Sequence, residues 1–172
     1  KGIKLAAGSI IHLLNSADIY YSNSVIETVA NYFNQNAQTH WISGNIYMKR
    51  GGIWVHVGVP FDPKQLYKGM RAVSHPTWFV RKEVYPRVGQ FSVDIKIAMD
   101  YDLMCRLKGE PYGYINETLI KFDDSGVTTR TSSNFWTHHS EKFFHSSFIL
   151  KIREYNTVIV HDRFFTGSTF CF

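Results

Sequence analysis

The chain has 172 residues, 44% apolar and 16% aromatic, enough for one domain with a substantial core and too apolar for a disordered tail. Nineteen Lys and Arg against fourteen Asp and Glu leave a formal charge of +5, which favours anionic partners such as phosphorylated ligands or acidic headgroups. The basic residues are scattered, with no run of five and no motif combining them with aromatics, so no nucleic-acid partner is expected.

The two cysteines, Cys105 and Cys171, form no C-x-x-C pair, which argues against a zinc site or a disulfide framework and fits a reducing compartment. No apolar run approaches the roughly 20 residues that a spanning helix needs, and the first residues lack the order of a secretory signal. These features predict a soluble, cytoplasmic chain.

In chain order, residues 1–7 read as the last turn of a helix closed by Gly8. Residues 9–14 are a short apolar run, as in a strand covered on both faces. Residues 15–23 read as a loop. Ser24 then opens a helix with Val25, Ile26, Val29, Ala30 and Phe33 on one side and Glu27 in the capping-box position. Residues 40–49 and 53–59 alternate around Gly51-Gly52, which predicts a hairpin.

Pro60, Pro63 and Gly69 mark a loop, residues 75–81 a strand, residues 82–88 a short helix, and Gly89-Gln90-Phe91 a turn. A helix over 97–108 ends at Gly109 and Pro111. A strand over 112–122, a polar loop over 123–133 and a helix over 134–155 complete the order, with 158–160 as a further small strand. Without an internal repeat, this is a mixed α/β domain.

Two carboxylates stand where a regular element meets a loop. Asp18 follows the apolar run 10–14, and in an open α/β sheet ligands collect outside the carboxyl ends of strands. There it can ligate Mg or Mn through one carboxylate while a ligand's phosphates and water complete the shell, or it can merely cap the next turn. Asp100 sits in the first turn of a helix and shares a face with Leu103 and Leu107, beside an apolar wall that suits a general base. The bland alternative is a plain helix-start acid. Asp102 faces away from Asp100, either solvated or paired with Arg106 at i+4, and is kept as a candidate substrate contact.

Taken together, four ordered segments resemble a family 2 glycosyltransferase of the GT-A fold. Residues 1–8 followed by 10–18 resemble "KGIxxAxG" and "LNSDD", residues 74–82 resemble "HQ(T/S)xFxRR", residues 88–91 resemble "xGGFD", and residues 98–107 resemble "(E/M)DYDLxLRL". The resemblance spans about residues 1–130. It implies that 1–133 are the C-terminal portion of a three-layer GT-A-like domain with a mixed sheet, incomplete at its N-terminus, with a helical, aromatic extension over 134–172 packed on it.

The resemblance implies transfer of a sugar from a nucleotide-sugar donor to a glycan or lipid-linked acceptor hydroxyl, with inversion, in glycan or polysaccharide synthesis. By position, Asp18 would ligate a divalent cation, Mn or Mg, that neutralises the departing diphosphate, with Asn15 and Ser16 shaping the donor loop. Asp100 would take the acceptor proton. Gly126 and Val127 fall in a segment resembling "GGVS", with Ser125 in place of its first glycine. His75, pushed toward an extended conformation by Pro76, is read either as a contact to acceptor or phosphate or as a satisfied half-buried histidine.

The chain also departs from the pattern. Ala17 stands where the family carries the first acid of its paired motif, Gln90 replaces a glycine, and the strands that bind nucleobase and ribose would precede Lys1. Two rivals therefore stay open: a non-catalytic glycan- or nucleotide-binding relic, and a two-carboxylate glycoside hydrolase. His138, His139 and His145 lack the i, i+4 spacing of a helical metal pair, and Asp123-Asp124 is a secondary metal candidate. The aromatic and basic residues of 134–172 leave open a peripheral contact at the inner face of a membrane.

Overall fold

The computed structural model describes residues 2–15, 18–95 and 99–122. Ser16, Ala17, Asp123, Asp124, Gly126, Val127 and the extension proposed for 134–172, with its three histidines, lie outside the described residues. The architecture is mixed α/β.

Six strands form one mixed sheet: β1 (Ile10–His12), β2 (Ile19–Tyr20), β3 (Trp41–Arg50), β4 (Ile53–Val57), β5 (Phe79–Arg81) and β6 (Tyr112–Lys121). The strand path is β1-β5-β3-β6-β2, with β4 also on β3. β3 is the axis. It runs parallel to β6 on one edge and antiparallel to β5 and then β4 on the other, so β1, antiparallel to β5, points the same way as β3 and β6.

Between its β5 and β4 partners, β3 would leave the Gly44 amide without a strand partner. The Thr77 hydroxyl fills the gap, accepting from Gly44 N–H at 3.1 Å while donating to the Ser74 carbonyl at 2.7 Å. That fastens the turn carrying His75 to the middle of the sheet. A β-carbon at Gly44 would meet Leu119 Cδ1 at 2.6 Å, which is why the parallel β3–β6 contact, bulged just beyond this residue, needs glycine here.

Alternation along the strands divides the core into two layers. Trp41, Trp78 and Val80 pack on one face with Tyr101, Leu103, Met104 and Leu107 of helix α4 (Met99–Leu107). Ile42, Ile46, Phe79 and Leu119 pack on the other with Val25, Val29 and Phe33 of helix α2 (Val25–Gln35). Short helices α1 (Gly2–Leu5) and α3 (Tyr85–Val88) join the α4 side through Ile3 and Tyr85.

Several expectations hold and several do not. The hairpin turns at Gly51 and Gly52, both at positive φ, as the dipeptide predicts. Ile26 is 50% exposed rather than in the apolar stripe. Ser24 forms no capping bond, because its hydroxyl lies 2.9 Å from that of Ser22. Gly8 is not among the glycines at positive φ, so α1 does not end in a left-handed cap. The expected 15–23 loop contains β2, held by two residue pairs with β6. The expected loop after Pro60 is a 3-10 helix, Pro63–Ala72, capped by Asp62 Oδ1 accepting from Lys64 N–H at 2.9 Å. His75, expected in a strand, opens the 3-10 turn His75–Thr77 that precedes β5.

Candidate active site

The carboxyl end of β1 is closed by a side-chain clamp. His12 Nε2–H donates to the Pro76 carbonyl at 2.9 Å, and because a carbonyl only accepts, Nδ1 is left to accept from the Tyr20 hydroxyl, also at 2.9 Å. The ring stacks on Phe79 at 4.0 Å. Burial lowers the His12 pKa to about 4, against the opposing Pro76 bond and with help from His75, so the imidazole stays neutral and both bonds persist at neutral pH. β1 and β2 terminate opposite ends of the strand path, so the His12–Tyr20 bond joins two sheet edges and records how far the sheet curls.

That clamp fixes the loop between β1 and β2, which carries Asn15 and Asp18. Asp18 is only 4% exposed. Its amide bonds the Asn15 carbonyl at 3.1 Å, and its Oδ2 accepts from Asn15 Nδ2 at 2.9 Å. Asn15 thus orients the carboxylate by a tight turn, a role that the expected loop-shaping contact did not specify.

His75 feels the charge of both acids. Its ring meets Trp78 edge-on at 5.1 Å and Phe91 at 6.2 Å. Burial pulls its pKa down, while the charges of Asp100 and then Asp18 pull it back up, so both carboxylates lie within electrostatic reach of one imidazole. Behind it is a void of about 10 Å³ bordered by Ile11, Leu13, Trp78 and Leu103. That space holds one water at most, so it backs the imidazole rather than receiving a ligand.

Asp100 stands in the first turn of α4, half-buried, with Oδ1 accepting from Tyr101 N–H at 2.9 Å. Leu103 and Leu107 are buried below it, as the helical spacing predicts. Asp102 takes the alternative of an ion pair: its Oδ2 receives Arg106 Nη2 at 2.6 Å and Nε at 3.2 Å. Arg106 also holds the Val88 and Gln90 carbonyls, pinning the turn at Gly89 to α4. Asp102 therefore braces the helix and the adjoining loop.

No protein-family model matches the sequence, and no curated protein matches it either.

Among the described residues no three His, Cys, Asp or Glu side chains are grouped to hold a metal ion by themselves. A Mg or Mn site that borrows phosphate oxygens from its ligand needs only one or two carboxylates, so the donor chemistry of Asp18 fits such an ion. Among the described residues no helix is long and apolar enough to cross a membrane. Sequence reasoning singled out Asn15, Asp18, His75 and Asp100 but passed over His12, Tyr20 and Thr77. The signal for His12 was an imidazole inside an otherwise apolar run, where burial demands partners for both ring nitrogens.

Proposed function

We propose that the residues around the carboxyl end of β1 form the reaction centre of a metal-assisted, inverting glycosyltransferase of the GT-A type. The donor is a nucleotide-sugar, and the acceptor is a hydroxyl of a glycan or a lipid-linked glycan. The single observation that carries this reading is the buried Asp18 carboxylate, held by Asn15 at the carboxyl end of β1; its charge and that of Asp100, 82 positions later, both raise the His75 pKa against the effect of burial.

Asp18 is buried and oriented by Asn15, so it would present a fixed carboxylate to a Mn or Mg ion. When bound, that ion offsets the charge of the departing diphosphate. Asp100, at the half-buried mouth of α4, accepts the proton of the attacking hydroxyl. His75, held toward its neutral form by burial, donates or accepts a hydrogen bond without adding positive charge. Ser16, Gly126 and Val127 are assigned to the donor and substrate loops by the family resemblance alone.

The test is Mn-dependent hydrolysis and transfer of nucleotide-sugars by the full chain and by Asp100→Asn. Loss of about 10²- to 10⁴-fold in turnover is expected, the usual contribution of a positioned base. Turnover undiminished in Asp100→Asn sinks the assignment, and turnover that survives chelation of metal points to the hydrolase. A second reading, the non-catalytic relic, rests on Ala17 in the acidic motif. Activity gained in Ala17→Asp counts against it.

A further inference from the structure

β3 and β6 run parallel to β1, so their carboxyl ends share the end of the sheet where Asp18 lies. From that end the β3–β4 hairpin extends, and residues 49–54 at its tip are all exposed. Ile53 is 69% and Trp54 41% exposed, apolar surface left facing water. The register sets Trp54 across from Lys49 on one face and Ile53 across from Arg50 on the other. Lys121 of β6 brings its ammonium 4.9 Å from the Trp54 ring centre, and Tyr47 stacks on the same indole at 4.9 Å.

Residues 39–61 contain no Asp or Glu at all. An indole and an aliphatic side chain on a hairpin that carries cations and no carboxylate match the chemistry of a bilayer interface, where aromatics sit at headgroup level and Lys or Arg meet anionic lipids. Charge complementarity selects an anionic surface, and a two-residue turn offers too little area for a stable protein interface.

We propose that the tip of the β3–β4 hairpin docks on an anionic bilayer, with Ile53 and Trp54 entering the headgroup region and Lys49, Arg50 and Lys121 meeting acidic lipids. Docked this way, the chain turns the Asp18 end of the sheet toward the membrane. The inference adds a surface to the reaction proposed above and stands independently of it.

The test is flotation of the full chain with vesicles of phosphatidylcholine alone or of phosphatidylcholine and phosphatidylserine in equal parts. Binding to the mixed vesicles only, weakening as salt rises, is expected. Lys49→Gln with Arg50→Gln should lower partitioning about thirtyfold, and Ile53→Ser with Trp54→Ser about tenfold or more. All four positions are exposed, so an unchanged circular dichroism melting curve verifies that the variants fold. Absence of vesicle binding overturns the proposal, as does binding that both double variants retain. Self-association through the hairpin without vesicle binding also overturns it.

Discussion

The two ends of the sheet handle charge in opposite ways. At the amino ends of β3 and β6, Glu110 receives Arg87 at 2.9 Å and His40 at 2.5 Å, and the Arg87 bond together with His40 holds its carboxyl below the usual range. A carboxylate with a guanidinium and an imidazole is self-satisfied, and the cluster ties α3 to the loop before β6. At the carboxyl ends, Asp18 takes the Asn15 carboxamide and Asp100 the Tyr101 amide, both neutral donors, and burial pushes the His75 imidazole, which feels both charges, toward neutrality. Acids brought together around a neutral ring make a negative field suited to a cation, whereas acids matched to arginine make a brace. The contrast separates the proposed site from a strut.

The sharpest way to break that contrast is to neutralise one acid at each end. Asp18→Asn should abolish Mn-dependent turnover, an effect of about 10²-fold or more. Glu110→Gln should leave turnover within about twofold, because its partners lie at the opposite end of the strands. Equal losses in the two variants would erase the distinction between the ends.

Thr77 offers the next largest effect, because it links the His75 turn to the sheet. Thr77→Val keeps the shape but leaves the Gly44 amide and the Ser74 carbonyl without their hydroxyl. Thr77 is fully buried, so a loss of about 1–3 kcal/mol in unfolding free energy is expected by urea titration, with faster hydrogen exchange at Gly44. An unchanged midpoint would mean that the turn is held by packing alone.

What could be read from the sequence follows the range of the forces involved. α2, α4 and the β3–β4 hairpin declare themselves by periodicity and by Gly51-Gly52, because local spacing alone decides which side chains face inward. β2 was invisible: two residues have no period, and their strand character comes from β6, a partner about 100 positions away. The 3-10 helix over Pro63–Ala72 was hidden by Pro60, Pro63 and Gly69, although Pro63 stands at its first position, where a missing N–H costs nothing. For the proposed site, strand-end and helix-start logic singled out Asp18 and Asp100, and the structure places Asp18 in the loop after β1 and Asp100 in the first turn of α4. The clamp of His12 with Tyr20 and Pro76 spans up to 64 positions and left only one misplaced-looking histidine as its trace.

That histidine gives the carboxyl end its own pH signature. Its folded pKa of about 4 lies below the ordinary 6.5, so the unfolded chain binds the proton more tightly. The contribution is complete above pH 6.5 and is lost as pH falls from there through 4, up to about 3 kcal/mol. His75 acts in the same direction, so the wild-type slope alone does not isolate His12. The comparison that does is His12→Gln: its stability difference between pH 7 and pH 4 should be smaller than the wild type's by most of that amount. Parallel curves would mean that His12 stays accessible to protons in the fold.

The smallest effect belongs to the amino end; its sign with pH is the same, but it comes from a paired charge rather than from burial. Glu110 has a depressed folded pKa, caused first by the Arg87 hydrogen bond, so its contribution is present above the ordinary carboxylate value and disappears as pH falls through the lower folded one. The Arg87 side chain is 48% exposed, so solvent screens the pair and Glu110→Gln should cost under about 1 kcal/mol at neutral pH. The cost should shrink further in high salt, because exposed pairs are screened within a Debye length. The His12 contribution, in contrast, comes from burial rather than from a paired charge and should be nearly insensitive to salt. Urea titrations of both variants at low and high ionic strength therefore test the difference between the two ends, and a salt-dependent His12→Gln effect would overturn the assignment of its pKa to burial.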